Sequence, residues 1–235
     1  MGQHSVDHIL TLVGFYFSHR VNPNSWYFDK FAFMSNEHYF SSTPESELKL
    51  RQISVTLAGR PVEVTTAGGI FSPDRVDVGT QVLLANTPPP PPGGNLLDLG
   101  CGWGPISLSL AIDSPRATVW AVDVNERALN LVRRNAEKLG LTNINAVRPE
   151  DVPAELEFMT IRSNPPIRVG KAELHNMLSF WLPRLEPEAD AWLVVQRNLG
   201  SDSLQRWLDG ALPDGFSVSR AATNKGYRLL KARRR

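Results

Sequence analysis

Between Asn95 and the last residue the chain alternates between two hydrophobic periods. Short apolar runs at 96–99, 118–124, 144–147, 158–161 and 192–195 read as buried strands. The stretches between them carry apolar residues three and four apart, which predicts helices over 105–112, 125–139, 171–185 and 203–212. In the second of these the stripe is Ala128, Leu129, Leu131, Val132, Ala136 and Leu139, with Gly140 as its stop. Residues 216–221 and 227–231 close the chain as a strand pair. Such alternation predicts a doubly wound α/β sheet with helices on both faces, because each parallel crossover needs a connecting element. Ligands of these sheets bind beyond the carboxyl ends of the strands, so the residues just after each strand carry the chemistry.

Upstream, 50–57 and 61–66 mix β-branched and polar residues around Ala58-Gly59 and predict a β-hairpin. Residues 67–73 form a connection, 76–84 a helix, and the proline run 88–92 an extended boundary. A methyl-rich core of this size fits one domain over 34–235, with the hairpin, helix and proline linker in 48–92 and the α/β core in 95–235. Residues 9–17 are apolar, but no Lys or Arg precedes them and no small-residue cleavage site follows. Because Met34 opens a start-like segment, residues 1–33 are either an upstream extension or an ordered cap that brings Trp26 and Tyr27 onto the core.

Composition changes this picture little: 42% hydrophobic and 21% charged residues exclude a disordered or fibrous chain. A formal net charge of +1 means that any nucleic-acid contact must come from a local patch. Lys231 to Arg235, with Ala232 as the one neutral member, is either such a patch or a solvated end. Cys101 is the single cysteine, so no disulfide forms within the chain, which suits a cytoplasmic setting. No apolar run reaches the roughly 20 residues that span a bilayer, and no metal-ligand spacing occurs, so neither membrane nor metal is expected.

The strongest chemical signal is Asp98-Leu99-Gly100-Cys101-Gly102-Trp103-Gly104, directly after a strand and opening a helix. Glycines let backbone approach a ligand, and the helix start offers free N–H groups. The alternate glycines, with Pro105 in the third-glycine slot, depart from the dinucleotide fingerprint. An acid two places before the first glycine suits a zwitterion with an ammonium group better than a pyrophosphate. Asp123, ending the next strand, is placed to hold both hydroxyls of a ribose, or to cap the helix after it together with Asn125. Asp151, after the third strand, is a candidate for an adenine amine or a plain turn residue.

The second signal is Ser163-Asn164-Pro165-Pro166-Ile167 after the fourth strand. Prolines fix φ and remove donors, so the Asn164 side-chain oxygen and the Pro165 carbonyl form a rigid acceptor pair. An amine held there keeps its lone pair free for an incoming methyl group, and the acceptors stabilise the positive charge that develops. Arg168 and Lys171 oppose the dipole of the following helix, as residues answering a phosphate would, or are simply solvated. Cys101 reads as a small residue in a tight loop, His175 as packed or capping, and Trp181, Trp192 and Trp207 as core.

These motifs resemble the class I S-adenosylmethionine-dependent methyltransferases, and within them the small-domain group that contains ribosomal RNA small subunit methyltransferase C. The resemblance covers about residues 37–231 and includes Gly69-Ile70-Phe71-Ser72, Asp77-x-Gly79-Thr80 and Gly170-Lys171-Ala172-Glu173-Leu174-His175. It implies a seven-stranded Rossmann-like sheet with the last strand antiparallel, S-adenosylmethionine as cofactor, and the exocyclic amine of a guanine in 16S rRNA as acceptor. The partner it implies is rRNA or the small ribosomal subunit, met by a monomer. Asp98, Gly100, Gly102 and Gly104 would then meet the methionyl part, Asp123 the ribose and Asp151 the adenine. Asn164, Pro165 and Pro166 would hold the amine, with Asn164 also beside the cofactor, and Ile167, Arg168 and Lys171 would contact substrate. Many members follow Asn-Pro-Pro with Phe or Tyr, whereas Ile167 stands here. Base–aromatic stacking is worth about 1–3 kcal/mol, so another residue must make up its loss. A protein glutamine amide, a small-molecule amine, and RNA binding without methyl transfer in ribosome assembly are the competing readings.

Overall fold

A computed structural model describes residues 49–235; the expectations for residues 1–33 lie outside the described residues. The chain first makes the hairpin β1 (Leu50–Leu57) and β2 (Arg60–Ala67), paired in register from Leu57↔Arg60 to Leu50↔Ala67. Ala58 and Gly59 both take positive φ, 48° and 71°, as a two-residue hairpin turn demands. Helix α1 (Val78–Asn86) follows, capped by Asp77. The core then runs β3 (Asn95–Leu99), α2 (Pro105–Asp113), β4 (Thr118–Val122), α3 (Glu126–Lys138), β5 (Ile144–Val147) and β6 (Phe158–Ser163). It continues with α4 (Lys171–Trp181), β7 (Leu185–Gln196), α5 (Ser201–Ala211), β8 (Phe216–Asn224) and β9 (Tyr227–Arg234).

The seven-stranded sheet has the order β5-β4-β3-β6-β7-β9-β8, with β9 antiparallel to both of its neighbours and the other pairs parallel. Alternating residues of one strand enter different cores, as the pleat requires. Leu97 and Leu99 of β3, and Ala191, Leu193 and Val195 of β7, pack under α4 and α5. Leu96, Trp192 and Val194 pack under α1 and α2 on the other face. Helices therefore cover both faces. The order reverses between β3 and β6, and the crevice beyond their carboxyl ends is where a doubly wound sheet binds its ligand.

Two boundaries move by four residues or more from the sequence reading. Helix α4 stops at Trp181 instead of 185, because Pro183 cannot donate to a helix ladder and Leu182–Arg184 tightens into a 3-10 turn. Strand β7 begins at Leu185 rather than 192, since its first half carries Glu186, Pro187, Glu188 and Asp190 and hides the apolar signal. Those acids also answer the basic segment at 231–235, most of which lies in a strand and not in a free end. Lys231 through Arg234 belong to β9, and Asp190 stands opposite Arg233 in register. Lys231 pairs with Asp190 at 3.0 Å, Arg233 with Glu188 at 2.6 Å, and Arg234 with Glu157 at 2.7 Å.

The hairpin is tied to the core by one buried amide. Asn135 of α3 accepts from the Thr65 N–H at 2.7 Å and donates to the Thr65 and Trp103 carbonyls at 3.0 and 3.2 Å. Asn135→Ala strands a buried N–H and two carbonyls, and is expected to remove on the order of 3 kcal/mol. Urea unfolding checks it, with a lower midpoint and an unchanged slope as the expected result.

Candidate active site

Both loops singled out in the sequence emerge at the switch point. After β3 the chain turns through Gly100 (φ 77°) and Gly102 (φ 55°), conformations that a side chain would strain. The Gly100 and Cys101 N–H groups donate to the Val122 carbonyl at 2.8 and 3.1 Å, which holds the loop against the end of β4. A Cβ on Gly102 would meet nothing within 4 Å, so this backbone faces open space. Gly104 differs: it precedes α2 at φ 96°, and a Cβ there would lie 3.0 Å from Val132 Cγ2, so it serves the approach of α2 to α3.

Beneath the loop Asp98 is fully buried. Its Oδ2 accepts from the Ser107 backbone N–H at 2.9 Å and from the Ser107 hydroxyl, while Oδ1 has no partner. Burial pushes the carboxyl up to about 7; Ser107's hydrogen bonds oppose the shift, the Asp123 charge adds to it, and buried Arg162 opposes it. Arg162, unnoticed in the sequence, stands opposite Asp98 in register and donates from Nη2 to the Pro88 carbonyl at 2.7 Å, anchoring the proline run. Asp123 braces the glycine loop and does not supply the cap of α3. Its Oδ2 accepts from the Gly102 N–H and its Oδ1 from the Asn125 N–H, each at 2.9 Å, while the N-cap side chain is that of Asn125. Burial raises its pKa against these bonds. The Val124 N–H is a third backbone partner, and at least one lone pair of the carboxylate stays open. Asp151 is exposed in the 3-10 turn Pro149–Asp151. Cys101 is buried, and burial, then Asp123 and Asp98, push its thiol well up, so it stays protonated.

Across the crevice the Ser163 hydroxyl donates to the Leu99 carbonyl at 2.7 Å and locks the end of β6 to the end of β3. This sets the Asn-Pro-Pro loop beside the glycines, since a Cβ on Gly100 would lie 4.0 Å from Pro166 Cδ. The decisive feature lies on Asn164. Its Nδ2 donates to Asp77 Oδ2 at 2.9 Å and to Thr80 Oγ1 at 3.1 Å, both at the start of α1. The amide nitrogen is thereby committed, and Oδ1 is left as the acceptor. The Pro165 carbonyl already accepts the Ile167 N–H at 2.9 Å and retains one lone pair. Phe71, Asp77, Thr80, Gly100, Gly102 and Asn164 line one cleft of about 330 Å³, open to solvent.

Ile167 packs against the core under α4. Arg168 falls in the turn Ile167–Val169, and Lys171 opens α4 exposed. His175 stacks on Trp207, centroids 3.6 Å apart, and burial, then Lys171, lowers its pKa, in keeping with a packing residue. Asp77, Thr80 and Phe71 were not read as site residues; only their presence in the flanking motifs hinted at them.

The donor set suits a cation-bearing, glycine-cradled ligand: an orphaned buried carboxylate oxygen at Asp98, open backbone at Gly102, and a half-buried Asp123. Among the described residues no group of three or more His, Cys, Asp or Glu could hold a metal, and no helix is long and apolar enough to cross a membrane.

A family profile, the methyltransferase small domain, matches residues 61–231. The uncharacterized protein YbxB of Bacillus subtilis (strain 168) is 34% identical over 202 residues, covering 85% of this chain and 99% of that one. Ribosomal RNA small subunit methyltransferase C of Shewanella pealeana is 32% identical over 161 residues, 64% of this chain and 47% of that protein, so the chain spans about half of its length. Among solved structures, the T. thermophilus 16S rRNA N2 methyltransferase RsmC, in complex with AdoMet and guanosine, superposes with a TM-score of 0.67. At 24% identity, over 83% of this chain and 53% of that one, the likeness shows the fold.

Proposed function

The chain belongs to the methyltransferase small domain family and is an S-adenosylmethionine-dependent methyltransferase, and from that premise we propose that it methylates the exocyclic amine of a guanine in small-subunit rRNA. The observation that carries the reading is the Asn164 amide, pinned by Asp77 and Thr80 so that Oδ1 is the acceptor beside the glycine loop. The guanine N2 amine is aromatic and weakly nucleophilic; it carries two hydrogens, one for Asn164 Oδ1 and one for the Pro165 carbonyl. Held so, its lone pair stands off the base plane, and both acceptors stabilise the positive charge that grows on nitrogen. The cofactor supplies an electrophilic methyl group on a sulfonium. No strong base is required, because the nitrogen becomes acidic as the N–C bond forms and sheds its proton to water.

In this reading Asp98, Gly100 and Gly102 hold the methionyl part and Asp123 the ribose, with Asp151 nearest the adenine by position. Gly104 contributes by packing, and Arg168 and Lys171 meet RNA phosphate. The chain's own small charge leaves such local residues to supply that attraction. A monomer acting on naked rRNA or on the subunit completes the proposal. The test incubates the protein with methyl-labelled S-adenosylmethionine and, separately, free guanosine, naked rRNA, 30S subunits and a protein extract. Label recovered from rRNA as N2-methylguanosine is the expected result. Label confined to protein or to small molecules overturns the acceptor, and cofactor binding without label in any arm overturns catalysis.

Asp98 adds a pH signature. At pH 6 its buried carboxyl, with a pKa of about 7, is mostly protonated. A bound ammonium favours the charged form and drives the proton off. Titration calorimetry with S-adenosylhomocysteine at pH 6, in two buffers of different ionisation enthalpy, is expected to show release of about one proton per ligand. Asp98→Asn should bind more weakly with no such release. Equal enthalpies in both buffers for the wild type would remove Asp98 from the ligand's contacts.

A further inference from the structure

The loop between β2 and α1 carries a ring that folding does not account for. Phe71 is 53% exposed, whereas Ile70 beside it is 1% exposed and packs with Trp103. The backbone on both sides is fixed. The Gly68 carbonyl accepts from Arg127 Nη1 at 2.7 Å, and the Gly69 carbonyl from Asn125 Nδ2 at 3.4 Å. The Ser72 carbonyl accepts from Trp103 Nε1 at 3.0 Å, and the Ser72 hydroxyl donates to the Arg75 carbonyl at 2.7 Å. Ser72 is held at φ 48°, a left-handed conformation unfavourable for a residue with a Cβ. A pinned and strained loop thus holds an aromatic ring in water. That ring lines the cleft together with Asn164, Asp77, Gly100 and Gly102.

Ile167, the residue after Asn-Pro-Pro, has no π face, and it packs against the core and does not line this cleft. Phe71 thus shares its space with Asn164, the amine-holding residue. We infer that Phe71 is the stacking platform for the acceptor base, holding the purine face while Asn164 takes its amine. The inference rests on the nucleic-acid reading of the site. It also explains how a chain with an aliphatic residue after Asn-Pro-Pro captures a base.

Phe71→Ala, Phe71→Leu and Phe71→Tyr are assayed on the rRNA fragment that the wild-type protein methylates, with S-adenosylhomocysteine affinity measured alongside. Lost stacking is expected to lower kcat/KM about 10- to 100-fold in Phe71→Ala. Phe71→Leu, which keeps bulk without a π face, should recover little, and Phe71→Tyr most of it. S-adenosylhomocysteine affinity and the unfolding midpoint should stay as in the wild type, since an exposed ring contributes little to either. Cofactor affinity falling as far as kcat/KM would assign the ring to the cofactor and overturn the inference. Phe71→Leu matching the wild type would do the same. A wild-type protein that methylates no RNA fails the parent reading first and takes the stacking role with it.

Discussion

Replacing Asn164 with Ala is expected to lower kcat by about 100- to 1000-fold while S-adenosylhomocysteine binding changes little. The magnitude is that of removing one preorganised polar group aimed at developing charge. The side chain sits 2.9 Å from Asp77 and 3.1 Å from Thr80 through its nitrogen, so the mutation deletes an aimed oxygen, not a flexible one. The backbone should keep its place, because Pro165 and Pro166 restrict the loop and the Ser163 hydroxyl still holds β6 to Leu99. Single-turnover kinetics with saturating cofactor check it. A variant retaining more than about a tenth of wild-type kcat would mean that the Pro165 carbonyl alone orients the amine. Asn164→Asp should fare no better: it keeps an acceptor but loses the donor to Asp77 and sets a carboxylate against a carboxylate.

Much of this site was legible because its signals are local. The glycine turn joins β3 directly to α2, so Asp98 to Gly104 announced both their place and their conformation. Asn-Pro-Pro was legible for the same reason, prolines being unable to continue a strand or open a ladder. What escaped notice depends on contacts between distant residues. The Asn164–Asp77 bond joins positions 87 apart in sequence, and Asn135 reaches Thr65 across 70. In the sequence Asp77 stood out only as part of a flanking motif, and the structure shows that it also caps α1. The basic segment at the end looked free because its partners, Glu188, Asp190 and Glu157, belong to other strands or loops. The first half of β7 was hidden by those same acids, and the end of α4 by an apolar run that passes through Pro183 without a break in period. Phe71 stood out only as part of a flanking motif, since a single exposed ring is a property of packing and not of pattern.

Asp77 is the residue whose removal should be next most damaging, although it touches neither reacting atom. One oxygen, Oδ2, accepts from the Gly79 N–H at 2.8 Å, the Thr80 N–H at 3.4 Å and Asn164 Nδ2 at 2.9 Å. It therefore ties the start of α1 to the acceptor loop, and Tyr227 closes the arrangement from behind, so tightly that a Cβ on Gly79 would lie 2.8 Å from its ring. Asp77→Ala removes an N-cap, which should cost about 1 kcal/mol of stability. It also leaves Thr80 as the sole anchor of the Asn164 amide, and a carboxamide free to rotate presents its nitrogen to the substrate for part of the time. We expect kcat to fall about 10-fold or more, with KM for RNA much less affected, because the loss is one of orientation. Asp77→Asn separates geometry from charge: its carboxamide oxygen can accept from the same three donors, so kcat should return to within a few-fold of wild type. Thr80→Val should show a smaller loss than Asp77→Ala. If Asp77→Asn proves as impaired as Asp77→Ala, the negative charge itself is required, and Asp77 is then more than a positioning residue. If Asp77→Ala loses stability but keeps its kcat, Asn164 is aimed without it, and the link from α1 to the acceptor loop serves the fold alone.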